Sequence, residues 1–574
     1  MGNKIMISLG KLALAGSIGL SGIAGGLLSE HQVSAAENIN EVNFEKKAKE
    51  YADLFKTTDW EKAYGHLSNS LQAKVAKEQL PTLIAGLTEA QFGKTKEITL
   101  KDIKKNGVYT NAAFTVTADQ GVYELVLRLN DAGQIDDMLF NTYAVPGQYL
   151  NPSYNHPENY TEKQVVFGDG EFTIPGVLTV PKGEGPFPVV VLVHGSGAHD
   201  MDETFASLKP FRDMAVGLVN EGVAVLRYDK RTYSHAIKSY LTPKFTIKDE
   251  TVLDANLAVE KLKAMPEIDA ENIFVFGHSQ GAFALPMIID NDKNKDIKGV
   301  IGAAGPSGKF HELMIWQVEQ QLQRAKDMNV PAEQVKAAEA SVAFFKEQFS
   351  LLDDPQYSAD NLPTNFQFTP SYWWFDLRDF VPAELAKKQS VPTLLLQGGK
   401  DIQVPSSELD AWKKALKDRD NVDYKLYPDM FHMLVNFKGQ IDGMTEYMTQ
   451  GNVPQEFISD IAQWVKTGEI KEVISKPQEP SSPAKMVYWD SLLMKKGQIG
   501  KVTITKPINL WKREGDKLVF ERILKPGEQY RVYRQDDKFG GQYGLGGGYY
   551  VTNMKGYVDY RTPSKAKLKE LNEG

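Results

Sequence analysis

The sequence predicts an α/β protein whose central sheet is mostly parallel. From residue 165 to about residue 468, short apolar segments alternate with helix-forming stretches, which is the order typical of parallel sheets. Several segments, such as 189–193 and 273–276, are unbroken apolar runs, and such runs are typical of strands covered on both faces. The second run leads directly into a G-x-S-x-G. We therefore expect one central α/β domain over residues 150–475.

The apolar segments predict the strands of this domain in chain order. They are 165–167, 176–180, 189–193, 223–228, 273–276, 300–303, 393–397 and 423–427. An insertion at about 308–390 separates the sixth predicted strand from the seventh, is too long for a loop and is rich in helix-forming stretches. We expect it to form a helical lid. Its aromatic residues Tyr372, Trp373 and Trp374 either line a substrate pocket or pack the lid onto its base.

The region before the central domain has a different pattern. Apolar residues between 44 and 71 have helical spacing, and from about 93 to 140 apolar and polar residues alternate as in hairpins. This order predicts a small α+β domain over residues 40–145. It resembles the cystatin-like modules that precede some bacterial secreted hydrolases. It contains no candidate catalytic set, so we expect an accessory or interaction domain.

Residues 476–485 are too rich in proline for a helix or a strand and predict a linker. Beyond them, short aromatic strands and glycine turns predict a small β-barrel over residues 486–574. This part resembles, in composition and spacing, SH3-type or surface-layer-associated wall modules of Gram-positive bacteria. From Lys485 onward there are 18 Lys and Arg against 10 Asp and Glu. This excess favours either an anionic cell-wall polymer as partner or an ordinary solvated surface.

The amino terminus has the pattern of a secretory signal peptide over residues 1–36. Lys4 and Lys11 precede an uncharged stretch, and small residues place cleavage near Ala35 or Ala36. A retained membrane anchor is the alternative, which the many glycines of the stretch disfavour. The chain contains no cysteine, which excludes disulfides and a thiol nucleophile. We expect a secreted or envelope-associated protein of a Gram-positive-like bacterium.

Ser279 is the predicted nucleophile. It is the central residue of Gly277-His278-Ser279-Gln280-Gly281, directly after the apolar run 273–276 and before an apolar helix. A strand, G-x-S-x-G and a helix in this order mount a serine on a sharp turn in α/β-hydrolases. The two glycines are needed because the turn brings its own strand and helix very close together.

A serine hydroxyl needs a histidine base, and that histidine needs a carboxylate to orient it. In α/β-hydrolases the chain order is serine, acid, histidine. His311 and His432 are the only histidines after His278, and His311 precedes the strand expected to carry the acid. The order therefore selects His432, and Asp401, which follows the strand 393–397, is the predicted acid. Asp429 is the competing acid, but it lies so close to His432 that a role in fixing their loop is favoured.

The oxyanion of the reaction needs backbone N–H donors. One is expected from Gln280, and the other from the glycine-rich loop after 189–193, where Gly195 and Ser196 are the candidates. His194, His199 and Asp200 could suggest a metal site, but the sequence has no H-E-x-x-H pattern and no metal is expected. His278, next to the nucleophile, is assigned to the substrate pocket.

Three segments carry a family resemblance: 194–204 around the glycine-rich loop, Tyr228-Asp229-Lys230-Arg231, and 277–281 around the nucleophile. Together they resemble bacterial α/β-hydrolases of the carboxylesterase and dienelactone-hydrolase-like group, over about 300 residues. The resemblance implies an α/β-hydrolase fold, a Ser-Asp-His triad, hydrolysis of small esters and no cofactor. Gln280, Ala282 and Thr232 depart from residues frequent in the group, which affects specificity rather than the triad.

Two alternatives stay open. The same triad could cleave peptide or amide bonds or transfer acyl groups within the cell wall. The second alternative belongs to a different functional class: the outer domains would be the functional part of a wall-binding or adhesive protein whose hydrolase domain is degenerate. No nucleic-acid partner is expected.

Overall fold

The computed structural model describes residues 43–141, residues 148–470 apart from Asn329, and, further on, 488–489, 492–494 and 497–567 with gaps at 516, 547 and 565–566. The chain divides into two compact units, Met1–Lys471 and Glu472–Gly574. The predicted signal peptide (1–36) and proline-rich linker (476–485) lie outside the described residues. Among the described residues, no helix has both the length and the apolar composition needed to cross a membrane.

The first unit begins with a small α+β region. Its helices are α1 (Phe44–Thr57), α2 (Trp60–Gly65), α3 (Asn69–Gln72) and α4 (Leu80–Phe92). Its strands β1 (Thr95–Asn106), β2 (Tyr109–Ala118), β3 (Val122–Leu129) and β4 (Ile135–Asn141) form an antiparallel sheet in chain order. The Asn43 side chain caps α1 by accepting a hydrogen bond from the Lys46 amide at 2.9 Å. The predicted α+β class is confirmed.

An eight-stranded sheet is the centre of the first unit. Its strands are β5 (Tyr160–Asp169), β6 (Phe172–Pro181), β7 (Phe187–Val193), β8 (Ala224–Tyr228), β9 (Ile268–His278), β10 (Ile297–Ala303), β11 (Thr393–Gly398) and β12 (Val422–Tyr427). Their order is β12-β11-β10-β9-β7-β8-β6-β5. The β5–β6 and β6–β8 pairs are antiparallel, and the other five pairs are parallel. The mostly parallel sheet of an α/β-hydrolase is therefore confirmed.

Helices cover both faces of this sheet. In chain order they are α5 (Pro210–Asn220), α6 (Arg231–Ser234), α7 (Ala236–Leu241), α8 (Leu253–Lys263), α9 (Gln280–Asn291), α10 (Phe310–Asp327), α11 (Ala332–Asp353), α12 (Ser371–Leu377), α13 (Pro382–Ala386), α14 (Ser407–Ala415), α15 (Thr445–Met448) and α16 (Gln455–Thr467). Along β7, Val189 and Val191 join the apolar cluster shared with α8 and α9, whereas Val190 and Leu192 join the cluster shared with α5 and α16. Burial on both faces explains the unbroken apolar run.

The insertion between β10 and β11 is helical, as expected. It consists of α10, α11, α12 and α13. Three aromatic rings of the insertion pack against one another: Phe349 in α11, Phe368 before α12, and Trp374 in α12. Their ring centroids are 4.7 to 5.6 Å apart. The insertion therefore has an aromatic core, which is continuous with the apolar cluster of the central domain.

The second unit is all-β. Its strands are β13 (Tyr488–Trp489), β14 (Leu492–Leu493), β15 (Gly500–Ile504), β16 (Ile508–Glu514), β17 (Lys517–Leu524), β18 (Gln529–Val532), β19 (Arg534–Asp536), β20 (Gln542–Gly546), β21 (Tyr549–Thr552) and β22 (Val558–Arg561). They form sheets in the orders β13-β14, β18-β15-β22 and β17-β16-β21-β20-β19. The two larger sheets share one apolar core that contains Val502, Val532, Leu510 and Val551. The all-β class is confirmed, and the described strands form separate sheets rather than one closed barrel.

The α+β region is joined to the central domain through buried polar contacts at α6 and α7. Asp137 of β4 accepts hydrogen bonds from the amides of Ile237 and Lys238, at 2.9 and 3.0 Å. The Lys238 ammonium pairs with Asp136 at 2.6 Å, and its side chain is 1% exposed. Ile237 belongs to the apolar core of the α+β region. This region is therefore built into the first unit rather than tethered to it.

The contact between Asp136 and Lys238 generates a stability prediction. Lys238→Met leaves the Asp136 carboxylate buried without its cation, so we expect the free energy of unfolding to fall by about 3 to 5 kcal/mol. Urea denaturation measures the change. Lys105→Met is the matched control, because Lys105 pairs with Asp131 at 2.7 Å while both side chains are more than half exposed. The control should change stability by less than about 0.5 kcal/mol. Equal effects of the two variants would show that the buried pair does not hold the regions together.

Candidate active site

Ser279 lies at the sharp turn between β9 and α9. β9 ends at His278 and α9 begins at Gln280. Ser279 has φ 53° and ψ −113°, a conformation that residues other than glycine rarely adopt. The residue is partly exposed, while His278 and Gln280 are buried. The strained turn therefore leaves the serine accessible between two fixed neighbours.

Two glycines make this turn possible. A Cβ atom on Gly277 would lie 2.5 Å from the carbonyl carbon of Gly281, and one on Gly281 would lie 2.4 Å from the carbonyl oxygen of Val193. Both distances are far shorter than a van der Waals contact. The close approach of β7, β9 and α9 explains why the pattern needs glycine on each side of the serine.

Asp401 and His432 lie in the loops after the neighbouring strands β11 and β12, and they are in direct contact. His432 Nδ1 lies 2.8 Å from Asp401 Oδ2. The other carboxylate oxygen accepts the amides of Gln403 and Val404 at 2.8 and 2.9 Å. The backbone therefore fixes the carboxylate, which in turn fixes the tautomer and the orientation of the imidazole.

Asp429, the competing acid, is placed elsewhere. It is exposed and pairs with Lys400 at 2.9 Å. The hydrogen bond from Lys400 lowers the pKa of Asp429. Asp429 thus forms an exposed pair with the acid loop, and in the described residues it makes no hydrogen bond or ion pair with the His432 ring.

The serine and histidine loops are joined through His278. His278 Nε2 lies 2.8 Å from the carbonyl oxygen of His432, and the two imidazole centroids are 4.8 Å apart. Within the described residues, no hydrogen bond joins Ser279 Oγ to His432. Such bonds are often long before substrate binds. The sequence places the serine beside His278, so this contact brings the His432 loop to the nucleophile.

Glu203 is the partner of His278 and has no role in the sequence analysis. Its Oε2 lies 2.9 Å from His278 Nδ1, and its Oε1 accepts the Gly195 amide at 2.7 Å. Both His278 contacts are therefore with acceptors, a carboxylate and a carbonyl oxygen. A neutral imidazole has one N–H, so the two contacts need either a proton on each nitrogen of His278 or a protonated Glu203. The sequence offered only an acidic residue soon after a glycine-rich loop, which does not reveal this pair.

The pKa values of Glu203 and His278 indicate that both side chains are charged. Burial alone would raise the pKa of Glu203, but the neighbouring His278 outweighs it and lowers the pKa to about 2. Burial alone would lower the pKa of His278, but the charge and hydrogen bond of Glu203 outweigh it and the pKa is raised. Glu203 and His278 are thus an ion pair inside the site, with side chains 1% and 3% exposed.

The structure changes one predicted oxyanion donor. The Gly195 amide hydrogen is bonded to Glu203, so Gly195 cannot donate it to an oxyanion. A Cβ on Gly195 would nevertheless lie 3.2 Å from Ser279 Cβ, which places this loop beside the nucleophile. The amides of Ser196, the next residue, and of Gln280 at the start of α9 are the remaining candidates.

The predicted pocket residues are mostly in packed positions. His278 belongs to the ion pair, and Trp373 and Trp374 are 6% and 2% exposed. Trp373 Nε1 donates to Glu250 Oε2 at 2.9 Å, and Trp374 belongs to the aromatic core of the insertion. Tyr372 is partly exposed, with the Lys244 ammonium 5.5 Å from its ring centroid. The aromatic cluster therefore packs the insertion onto its base, the alternative that the sequence analysis left open, and does not form an open pocket wall.

His194 braces the glycine-rich loop. Its Nε2 lies 3.0 Å from the carbonyl oxygen of Asp200, and burial lowers its pKa to about 3. A neutral histidine can donate this hydrogen bond without burying a charge. Over the residues that the structure describes, no group of three or more His, Cys, Asp or Glu side chains could hold a metal ion.

Comparisons with known proteins identify relatives of this chain. A family model described as serine aminopeptidase, S33, matches residues 184–437. Esterase EstD of Thermotoga maritima is 31% identical over 423 residues, which cover 74% of this chain and 95% of EstD.

Two solved structures are also similar in part. The Pyrococcus furiosus esterase PF2001 has a TM-score of 0.35 and 17% identity, covering 56% of this chain and 97% of its own. Est1E from Butyrivibrio proteoclasticus has a TM-score of 0.33 and 15% identity, covering 53% of this chain and 96% of its own. Because the identity to EstD extends over almost the whole of that enzyme, the chain belongs to the α/β-hydrolase family of carboxylic ester hydrolases.

Proposed function

We propose that this ester hydrolase cleaves small-molecule carboxylic esters with Ser279, His432 and Asp401 as its catalytic triad. The observation that carries the proposal is the 2.8 Å contact between His432 Nδ1 and Asp401 Oδ2. His278 holds the His432 loop against the strained turn of Ser279. No cofactor is needed for this chemistry.

In the first half of the reaction, Ser279 Oγ attacks the acyl carbon and His432 Nε2 takes its proton. Asp401 stabilises the imidazolium that forms. The amides of Ser196 and Gln280 donate to the oxyanion of the tetrahedral intermediate. The intermediate collapses when the C–O bond to the alcohol breaks and His432 gives its proton to the leaving oxygen, which leaves an acyl-serine.

In the second half, water attacks the acyl-serine while His432 takes the proton of the water. The second tetrahedral intermediate uses the same two amides. It collapses to the free acid, and Ser279 regains its proton from His432. The partial exposure of Ser279 supports the access to solvent that this step needs.

A second candidate is cleavage of amide bonds by the same triad. It is favoured by the match of residues 184–437 to a family model described as serine aminopeptidase. Amide cleavage needs a proton delivered to a poorer leaving group, and in this mechanism His432 supplies it. The ratio of kcat/KM for a p-nitrophenyl ester to that for an aminoacyl p-nitroanilide separates the candidates.

We also propose export to the cell envelope. The support is the signal-like pattern of residues 1–36 and the excess of Lys and Arg after residue 485. An anionic cell-wall polymer is the partner proposed for the second unit. A pull-down of the protein by purified wall polymer at low and high salt tests this part.

The triad generates an activity prediction. Ser279→Ala should lower kcat for p-nitrophenyl acetate by about 10⁴-fold or more, because it removes the nucleophile. Asp401→Asn should lower kcat by roughly 10⁴-fold, because an amide holds His432 in the wrong tautomer. Steady-state kinetics and labelling by a fluorophosphonate probe measure both effects.

Asp429→Asn is the matched control for Asp401→Asn. It changes an exposed carboxylate of the neighbouring loop, so kcat should stay within about twofold of the wild type. Full activity of Ser279→Ala would refute the triad. Absence of both turnover and probe labelling in the wild-type protein would favour a degenerate hydrolase in a wall-binding protein.

The proposed geometry depends on the ion pair between Glu203 and His278, and this makes stability depend on pH. Glu203 has a folded pKa of about 2 against an ordinary value of 4.5, so its contribution is present above pH 4.5 and is lost as pH falls towards 2. The pKa of His278 is raised above 6.5, so its contribution is complete below pH 6.5 and is lost as pH rises through the folded pKa. The pair therefore stabilises the protein most between pH 4.5 and 6.5.

Glu203→Gln tests this dependence. We expect a free energy of unfolding about 3 kcal/mol lower than that of the wild type between pH 4.5 and 6.5, with the deficit shrinking at higher pH. Urea denaturation from pH 4.5 to 9 measures it. Glu158→Gln is the control, because it removes an exposed contact of 3.4 Å with His156 and should change stability by less than about 0.5 kcal/mol. A deficit that does not vary with pH would mean that the pair is not ionic.

A further inference from the structure

Lys230 is a buried lysine with three acceptors at the centre of the candidate site. It follows β8, is 2% exposed and has no role in the triad. Its ammonium lies 2.7 Å from the Gly195 carbonyl oxygen, 2.8 Å from Gln280 Oε1 and 2.7 Å from Glu250 Oε1. An ammonium has three N–H donors, so all three are used. We infer that Lys230 is a positioning residue that holds both donors of the oxyanion hole, an inference that rests on the proposed function.

The first donor is positioned through its own peptide group. The Gly195 carbonyl and the Ser196 N–H belong to the same peptide, which is trans. In a planar trans peptide the two bonds point in opposite directions. The hydrogen bond from Lys230 to the Gly195 oxygen therefore also sets the direction of the Ser196 N–H. On the other side of Gly195, its amide is held by Glu203 at 2.7 Å, so the loop is fixed at two successive peptides.

The second donor is positioned through a side chain. Gln280 is the first residue of α9, so its amide has no acceptor within the helix. Its side-chain oxygen bonds the same ammonium that holds Gly195. The Lys230 amide also donates to the carbonyl oxygen of His199 at 3.0 Å, in the glycine-rich loop. One residue thus ties that loop to the turn of the nucleophile.

Glu250 supplies the counter-charge and connects the site to the insertion. It lies in a π-helix, Lys248–Val252, a rare form that often occurs at functional sites. Its second oxygen accepts from Trp373 of the insertion at 2.9 Å. Trp373 therefore orients Glu250, Glu250 orients Lys230, and Lys230 orients the two donors. This explains why an aromatic residue predicted to line the pocket is buried beside a carboxylate instead.

Lys230→Met and the double variant Lys230→Met/Glu250→Gln test the inference in the full-length protein. The single variant leaves Glu250 as an unpaired buried charge, whereas the double variant removes both charges. If Lys230 holds the oxyanion donors, both variants should lower kcat for p-nitrophenyl acetate by about 10²- to 10³-fold, the effect of losing one oxyanion donor. KM should change by less than about threefold, because the donors act mainly in the transition state.

A transition-state analogue supplies a readout that a merely structural role would not move. A trifluoromethyl ketone forms a tetrahedral adduct with an active serine, so its inhibition constant should rise in both variants by a factor close to the loss in kcat/KM. Active-site titration with a fluorophosphonate sets the concentration of folded enzyme. Lys238→Met is the matched control, since it removes a buried lysine from a 2.6 Å carboxylate pair elsewhere in the unit. Per active site, the control should keep wild-type kcat and inhibition constant.

The outcomes separate this inference from the proposed function. Recovery of wild-type kcat in the double variant would overturn it, because the loss would then come from the unpaired Glu250. Wild-type kcat per active site in Lys230→Met would overturn it as well. Absence of ester turnover in the wild-type protein would instead contradict the proposed function itself.

Discussion

The buried ion pair between Glu203 and His278 is the interaction on which the geometry of the site depends. Its four polar atoms make three contacts: Glu203 with the Gly195 amide, Glu203 with His278, and His278 with the His432 carbonyl oxygen. The pair therefore joins the loop after β7, the end of β9 and the loop after β12. Without it, the proposed nucleophile, its proposed base and one side of the proposed oxyanion hole would be fixed only by their separate strands.

Stability alone does not explain such a pair. Taking two charges out of water costs several kcal/mol for each ion, and well-packed apolar residues often replace a buried pair without loss of stability. What apolar residues cannot do is bond two chosen backbone atoms in fixed directions. Glu203 and Glu250 each use one oxygen for a cation and the other for a different segment, Gly195 or Trp373. Each buried carboxylate thus fixes the position of a segment next to the candidate site.

The sequence predicts the triad because its signals are local or ordered along the chain. Ser279 is marked by a strand and two glycines, and the order of serine, acid and histidine selects Asp401 and His432. The role of Gly195 could not be predicted in the same way. A glycine-rich loop indicates that amides turn inward, but which amide is free depends on a carboxylate eight residues further on. Whether Trp373 and Trp374 line a pocket or pack in a core could not be predicted either, because an aromatic cluster is typical of both. Only their contacts with distant residues distinguish a pocket wall from a core.

The packing of the α+β region could not be predicted from its sequence pattern, because that pattern indicates helices and strands but not which polar groups they bury against a neighbouring region. Asn106 at the end of β1 donates to Asp229 Oδ2 at 2.7 Å, and the other oxygen of Asp229 accepts the Met201 amide at 2.9 Å. Asp229 directly precedes Lys230, and Met201 lies two residues before Glu203. The α+β region therefore contacts the Asp229 side chain, and the other oxygen of that carboxylate holds the backbone of the glycine-rich loop two residues before Glu203. Contacts of this kind make the α+β region part of the framework around the candidate site, so a change at Asn106 or Asp229 can alter the loop that contains Gly195 and Glu203 without touching any residue of the proposed triad.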